Sequence, residues 1–401
     1  AMTESSAFVI QSLSLETRNA LMEELFATEG LAIRFLRVPM GASDFALNNY
    51  SYNDIESGSS DPMMNHFSLE RDEDYVIPVL KEAKRLRPDL LLMASPWSAP
   101  AWMKTNGSMN GGSLRPEYYL AYARYFTQFI RGYESHGLPI YAITLQNEPL
   151  HETFSYPSMK MTASEQIELL KVVGPHFASE NIPVKILAYD HNWDNTAYPK
   201  SILGNPLVSG YVAGSAFHCY GGNVEAQDSV HRSYPEKGIW FTECSGGRWA
   251  TDFASNLSWN MQHVFIGSIN NHSKSVLLWN LALDENDGPQ NGGCPNCRGV
   301  ITVRSDGTVQ KNEEFYLIGH FSKFLSSGAR RIHSEVIGNA SNVLATAFRN
   351  SNGELVAVIH NKATAPFNVE LDIGGSKGYY ALPSRGIATI VIREQPQEGQ
   401  G

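Results

Sequence analysis

No stretch of this sequence approaches the roughly 20 apolar residues that a membrane-spanning helix needs, and no basic-then-apolar leader opens it. A membrane span is not expected. Positive charge is short: 31 Lys and Arg face 41 Asp and Glu, a formal net charge of −10. A generic electrostatic grip on nucleic acid is therefore not expected, and a neutral substrate suits the balance better. Glycine-rich phosphate loops are missing, and His191-Asn-Trp-Asp194 has no metal-ligand spacing. Neither a metal nor a nucleotide cofactor is implied. There is no internal repeat.

Cysteine is scarce, with only Cys219, Cys244, Cys294 and Cys297. A lone Cys-x-x-Cys lacks the second ligand pair of a zinc site and stands in no βαβ redox context. Cys294-Pro-Asn-Cys297 is accordingly read as a loop disulfide, with a free pair as the alternative. The chain opens at Ala1 rather than Met, read as a processed or trimmed start. Asn49, Asn106, Asn256, Asn271 and Asn339 each begin a glycosylation sequon. A secreted or extracytoplasmic location is the expectation.

What is present is a rhythm. Short β-branched or aromatic runs alternate with helical stretches to about residue 305, the pattern of βα units around a parallel sheet. Strands are expected at Ile33–Pro39, Leu90–Ser95, Ile140–Gln146, Lys185–Asp190, Gly214–Cys219, Gly238–Glu243 and Val276–Asn280. Helices are expected at Glu117–Tyr133 and, opened by the capping sequence Thr162-Ala-Ser-Glu, at Ala163–Ser179. A (β/α)8 TIM barrel needs an eighth strand. Its only room is at the very start, with Ala1–Ser5 as its last residues, Thr3 and Glu4 at the upper rim and Ser14–Phe26 as its helix, the rest of the strand lying upstream. From Ser326 the pattern changes to strands at Val343–Arg349, Glu354–His360, Phe367–Asp372 and Ile387–Arg393, with Asn350-Ser-Asn-Gly and Gly374-Gly-Ser turns. The expected organisation is a catalytic α/β barrel over 1–325, an appended β-sandwich over 326–393 and a flexible polar tail over 394–401.

Two carboxylates stand out. Ile143-Thr-Leu-Gln-Asn-Glu148-Pro ends one strand and Trp240-Phe-Thr-Glu243 another. Barrel active sites sit at the C-terminal ends of strands, so both acids would face the same mouth. In retaining glycosidases one such acid protonates the leaving oxygen and the other attacks the anomeric carbon. Salt-bridged strand ends are the structural alternative for either acid taken alone.

The sequence resembles glycoside hydrolase family 30, in particular its glucosylceramidase-like and endo-β-1,6-glucanase-like members. The resemblance runs from Ala1-Met-Thr-Glu to the last sandwich strand. It rests on Arg37-Val-Pro-Met-Gly-Ala-Ser-Asp44-Phe, Ala94-Ser-Pro-Trp97-Ser-Ala-Pro-Ala-Trp102, Gln146-Asn147-Glu148-Pro, His218-Cys-Tyr220, Thr242-Glu243, Trp279-Asn280-Leu-Ala-Leu and Gly319-His-Phe-Ser-Lys-Phe. It implies a barrel with a sandwich built from both chain ends, Glu148 as acid/base and Glu243 as nucleophile. It also implies Asn147 on the sugar 2-hydroxyl, Asp44, Trp97 and Trp279 around the terminal sugar, and Tyr220 on the nucleophile. Arg37 would orient the carboxylates, and His218 would orient its neighbours. For Asp44 a helix cap, and for the tryptophans plain core packing, are the alternatives.

Cys219 stands where glucosylceramidase-like members carry Trp. The Gly292-Gly-Cys-Pro-Asn-Cys-Arg-Gly run looks more like the polysaccharide-directed members. The expected function is hydrolysis of β-glucosidic bonds in β-1,6-glucan or smaller β-glucosides by double displacement, with a β-linked glucan, oligosaccharide or glycoside as partner. Alternatives are a glucosylceramidase, β-xylosidase, β-fucosidase or β-1,6-galactanase activity, transglycosylation, or carbohydrate binding on an inactive scaffold.

Overall fold

The computed structural model describes residues 1–338, 341–373 and 375–393. The expected tail, Asn339 and Gly374 lie outside them. Seven parallel strands form one curved sheet in chain order. They are β1 (Phe35–Met40), β2 (Leu91–Pro96), β3 (Ile140–Thr144), β4 (Lys185–Asn192), β5 (Val212–His218), β6 (Gly238–Glu243) and β7 (Ser273–Val276). Helices cover the outer face, so β6 is buried along its whole length, as a strand covered on both sides must be.

The inner face is layered by the two-residue period of a strand. Met93, Ala142, Leu187, Ala216, Trp240 and Leu277 make an apolar layer in which Trp240 fills the space beside two alanines. Two residues further along their strands, Ser95, Thr144, His218 and Thr242 make a polar layer, fully buried and joined by Arg37 of β1. Strand β4 breaks the period. Its pairing with β5 shifts between Tyr189 and His191, and Tyr189 and Asp190 both have positive φ, 76° and 65°. This bulge turns Tyr189 toward the helices, where its ring packs on Tyr198, and aims Asp190 inward. Two left-handed non-glycine residues cost of order 1–3 kcal/mol each, which marks the bulge as a place where position outweighs backbone comfort.

The start of the chain occupies the seam between β1 and the segment after β7. Met2 N donates to Arg37 O at 2.8 Å, and Leu281 N donates to Ala1 O at 2.9 Å. The expected extension to Ser5 is corrected here. The Thr3 hydroxyl accepts from Ser6 N and caps a helix, α1 (Glu4–Gln11), so only the first three residues are extended. Below them, between β1 and β7, the wall opens into a cavity of about 830 Å³ lined by Phe35, Val276, Phe321 and Phe348 among others. The next helix, α2 (Leu15–Phe26), is capped by Ser14. The helix after Thr162 spans Ala163–Ser179 with the full capping box.

The C-terminal sheet runs β8 (Arg330–Ile332), β9 (Val343–Arg349), β10 (Leu355–Asn361) and β13 (Ile387–Ile392), all antiparallel. Facing it is a hairpin of β11 (Phe367–Ile373) and β12 (Ser376–Leu382). Ile359, Leu382 and Ala388, with Val369 and Leu371 packed against them, form the core between the two sheets. Strand β12 was not anticipated from the sequence, because its middle is outward-facing: Tyr379 is 77% exposed. Phe348 packs edge-on against Phe321 of the barrel's last helix and joins the two units.

Candidate active site

Glu148 follows β3 and Glu243 ends β6, so the barrel brings both to one rim. Glu148 has a left-handed backbone, φ 44°, held by its N–H on Asp190 O at 2.9 Å, while Asn147 N donates to Pro96 O at 2.8 Å. One oxygen of Glu148, one oxygen of Glu243 and a ring nitrogen of His218 all lie within 4.8 Å of one another.

The two acids have unequal surroundings. Glu243 is clamped between the Arg37 guanidinium on Oε2 and the Tyr220 hydroxyl, which donates to Oε1 at 2.9 Å. Glu148 Oε1 faces His218 Nδ1 at 3.1 Å. Burial alone would raise the Glu148 carboxyl, but the His218 hydrogen bond and charge bring it below its ordinary value. His218 in turn is pushed up to about 9: burial disfavours the cation, and Glu243, Asp190 and Glu148 outweigh it.

Around the pair, Arg37 spans the pocket floor. Its Nη2 donates to Asn147 Oδ1 and Asp190 Oδ2, both at 2.7 Å. Its guanidinium lies 4.8 Å from the Trp97 ring centre and 5.8 Å from that of Trp279. Those two indoles stack on each other at 4.8 Å, each only 3% exposed. They form a packed wall with Phe45 and Cys297, against which Tyr156 and Cys294 rest. Asp44 caps no helix. The Asn291 N–H holds its backbone carbonyl at 2.7 Å, and a Cβ on Gly293 would lie 2.4 Å from Asp44 Cβ. Burial, then the charges of Glu243 and Glu148, push the Asp44 carboxyl well above the usual carboxylate range.

Both cysteine pairs are disulfides. Cys294–Cys297 matches the expectation. Cys219–Cys244 was not foreseen, since its partners are far apart in sequence; it ties the residue before Tyr220 to the residue after Glu243.

The description of the glycosyl hydrolase family 30 TIM-barrel domain matches residues 1–325, and that of the family's beta sandwich domain matches 328–390. The chain belongs to glycosyl hydrolase family 30. Its similarity to endo-1,6-beta-D-glucanase BGN16.3 of Trichoderma harzianum is 31% identity over 98% of this chain and 82% of that protein. Lysosomal acid glucosylceramidase of Mus musculus is 30% identical over 91% of this chain and 74% of that protein. Among solved structures, the endo-beta1,6-glucanase BT3312 superposes with a TM-score of 0.91 and 32% identity, covering 97% of this chain and 89% of that one. This family 30 chain is a glycosidase. No helix among the described residues is long and apolar enough to cross a membrane.

The nine site residues expected from the sequence gather around the two carboxylates: Arg37, Asp44, Trp97, Asn147, Glu148, His218, Tyr220, Glu243 and Trp279. Asp190 was missed. Strand period carried on from Leu187 points Tyr189 inward, and only the bulge reverses the two. The one available signal was an acid at the C-terminal end of a barrel strand.

Proposed function

We propose that this enzyme hydrolyses β-1,6-linked glucan with retention of configuration, Glu243 acting as nucleophile and Glu148 as acid/base. The observation that carries the reading is the pair of carboxylates, with oxygens within 4.8 Å and unequal partners. Retaining enzymes hold their carboxyl groups about 5–5.5 Å apart, whereas inverting ones leave about 6.5–9.5 Å for a water molecule.

In the first step Glu243 attacks the anomeric carbon as Glu148 passes its proton to the departing glycosidic oxygen. In the second, Glu148 takes a proton from water, the resulting hydroxide bonds to the anomeric carbon, and the bond to Glu243 breaks. Asn147 gives its side-chain oxygen to Arg37, which leaves its amide N–H groups for the sugar 2-hydroxyl, a contact that strengthens in the transition state. Asp44 holds an outer hydroxyl of the sugar. Trp97 and Trp279 act chiefly as the rigid wall behind Arg37. The β-1,6-glucan assignment is supported by the two endo-β-1,6-glucanases among the named relatives and by the disulfide loop that braces Asp44. The two disulfides support a secreted or extracytoplasmic setting.

Glu243→Gln is expected to abolish turnover while leaving glucan binding measurable. Glu148→Ala is expected to spare aryl glucosides with activated leaving groups, which need no proton, far more than β-1,6-gluco-oligosaccharides. Near-normal turnover in the first variant, or equal losses on both substrates in the second, overturns the roles. A product-resolved panel of β-1,6-glucan, laminarin, xylan, β-1,6-galactan and glucosylceramide tests the substrate, and glucosylceramide as the best substrate would reverse that part of the reading.

A further inference from the structure

Asp190 is fully buried yet lies against both catalytic candidates through their partners. Its Oδ2 accepts from Arg37 Nη2 at 2.7 Å, Ser95 Oγ at 3.0 Å and Thr144 Oγ1 at 2.7 Å. Its Oδ1 accepts from Thr242 Oγ1 at 2.7 Å and faces His218 Nε2 at 3.0 Å. Five other strands of the barrel thus converge on one carboxylate, which its own strand delivers only by way of a strained bulge. A group whose sole purpose was to hold the barrel together would not need a backbone distortion that also sets Glu148 N on its own carbonyl.

Taking Glu148 as the acid/base, we propose that Asp190 is a positioning residue that pins His218 as a fixed cation against Glu148 and so sets how strongly Glu148 donates its proton. Asp190 accepts from Nε2, and in the imidazolium Nδ1 carries hydrogen as well and donates to Glu148 Oε1. The catalytic proton is thereby confined to Glu148 Oε2. On glycosyl transfer this proton goes to the leaving oxygen, and the new Glu148 carboxylate keeps the Nδ1–H donor. On hydrolysis Oε2 takes one proton back from water. His218 retains both ring protons throughout, so it is neither consumed nor regenerated. Glu148 serves as a stronger acid than an isolated glutamic acid, which favours proton delivery and places the alkaline limb of the activity profile at low pH.

The charged groups facing His218 are Asp190 on β4, Glu148 after β3, and Glu243 on β6, whose Oε1 is 3.9 Å away. The His191 and Tyr220 rings lie 6.3 and 6.1 Å from its own. Arg37 reaches it only through Asp190 and Glu243. Glu148 also feels His191 and His151, neither within the hydrogen-bonding distance that His218 has. The Asp44 carboxyl, which burial and the charges of Glu243 and Glu148 push upward, is the remaining acid of the cluster.

The test is the pH profile of kcat/KM on a β-1,6-gluco-oligosaccharide and on an activated aryl glucoside, for the wild type, Asp190→Asn and His218→Gln. With the anion removed, His218 is held less strongly as a cation, by Glu243 and Glu148 alone, and Glu148 holds its own proton to higher pH. The alkaline limb on the oligosaccharide is expected to move upward by about one pH unit, with kcat/KM falling at least ~10-fold and the aryl glucoside losing less. His218→Gln, which keeps the Arg37–Asp190 pair, is expected to move the limb the same way. Should Asp190→Asn fail to fold, His218→Gln and nitrogen-15 spectra of the wild type remain. The signal lost in His218→Gln is expected to stay imidazolium at pH 8. An unmoved or lowered limb, an equal loss at every pH, or a His218 that titrates near the ordinary imidazole value of about 6.5 overturns the proposal. Failure of the acid/base reading shows separately, as a Glu148→Ala enzyme that does not discriminate between leaving groups.

Discussion

Two carboxylates are sealed inside this barrel and held in opposite ways. Asp190, in the inner polar layer, has Arg37 and His218 among its partners and is held far below the usual carboxylate range: burial opposes ionisation, and the two cations overcome it. Asp72, under the helices on the outer face, is equally buried, but its donors are the neutral hydroxyls of Tyr50, Tyr52 and Tyr133. There burial dominates, and three tyrosine hydrogen bonds pull the carboxyl back only to about 6. Hydrogen bonds alone make a buried acid tolerable; a buried cation makes it permanently charged. The site needs the second kind, because a fixed negative charge is what keeps Arg37 and His218 in place as cations.

The largest test of this contrast is to take away a cation. Arg37→Met leaves Asp190 and Glu243 to share His218 as their one remaining cation, and breaking a buried pair costs about 3–5 kcal/mol. We expect a large drop in the urea midpoint or a chain that does not accumulate folded. Asp72→Asn, which removes a charge supported only by neutral groups, is expected to cost less, about 1–3 kcal/mol. Equal losses in the two variants would erase the distinction.

The second test is pH. The folded protein holds the Asp72 proton up to about 6, whereas the unfolded chain releases it near 3.8. Between those values the folded state binds more protons, so the Asp72 contribution lowers stability as pH rises through the window, by up to about 3 kcal/mol at completion. Asp190, ionised in the folded state throughout, adds only a small opposite rise at the acid end of the window, where the unfolded carboxylate is still partly protonated. Chemical unfolding at pH 4, 5, 6 and 7 is expected to show a component of falling stability that disappears in Asp72→Asn. Persistence of that component in the variant would assign it to another group.

The same contrast explains how far the sequence could be read. Glu148 and Glu243 were legible because each stands at or just past the C-terminal end of a strand. The family resemblance then supplied Asp44, Trp97, Asn147, His218, Tyr220 and Trp279, and strand direction pointed Arg37 at the carboxylates. Asp190 was not legible: the register shift at Tyr189 is a property of how β4 pairs with β5, and no local pattern in Ala188-Tyr-Asp-His announces it. The Cys219–Cys244 bond was hidden for the same reason, its partners meeting only when β5 and β6 lie side by side. The three-tyrosine cradle of Asp72 draws on a loop after β1 and on a helix some 60 residues on, so it too exists only in three dimensions. Strand β12 escaped because a hairpin edge with one wet face lacks the apolar run that marks a buried strand.

The smallest effects come from single hydroxyls, and they sharpen the comparison most finely. Tyr133→Phe removes a 2.5 Å hydrogen bond to Asp72 Oδ2, and Thr144→Val removes a 2.7 Å hydrogen bond to Asp190 Oδ2. Each is expected to cost about 1–2 kcal/mol at neutral pH. Their pH behaviour should differ. With one donor fewer, Asp72 keeps its proton to still higher pH, so the stability loss in Tyr133→Phe grows as pH rises from 5 to 7 and shrinks toward pH 4. Asp190 keeps Arg37 and His218, stays ionised, and gives Thr144→Val a loss that is flat across the same range. Urea midpoints for the two variants at pH 4, 5.5 and 7 decide it: parallel curves would mean that the cations around Asp190 do not control its charge, and the contrast between the two carboxylates would fail at its root.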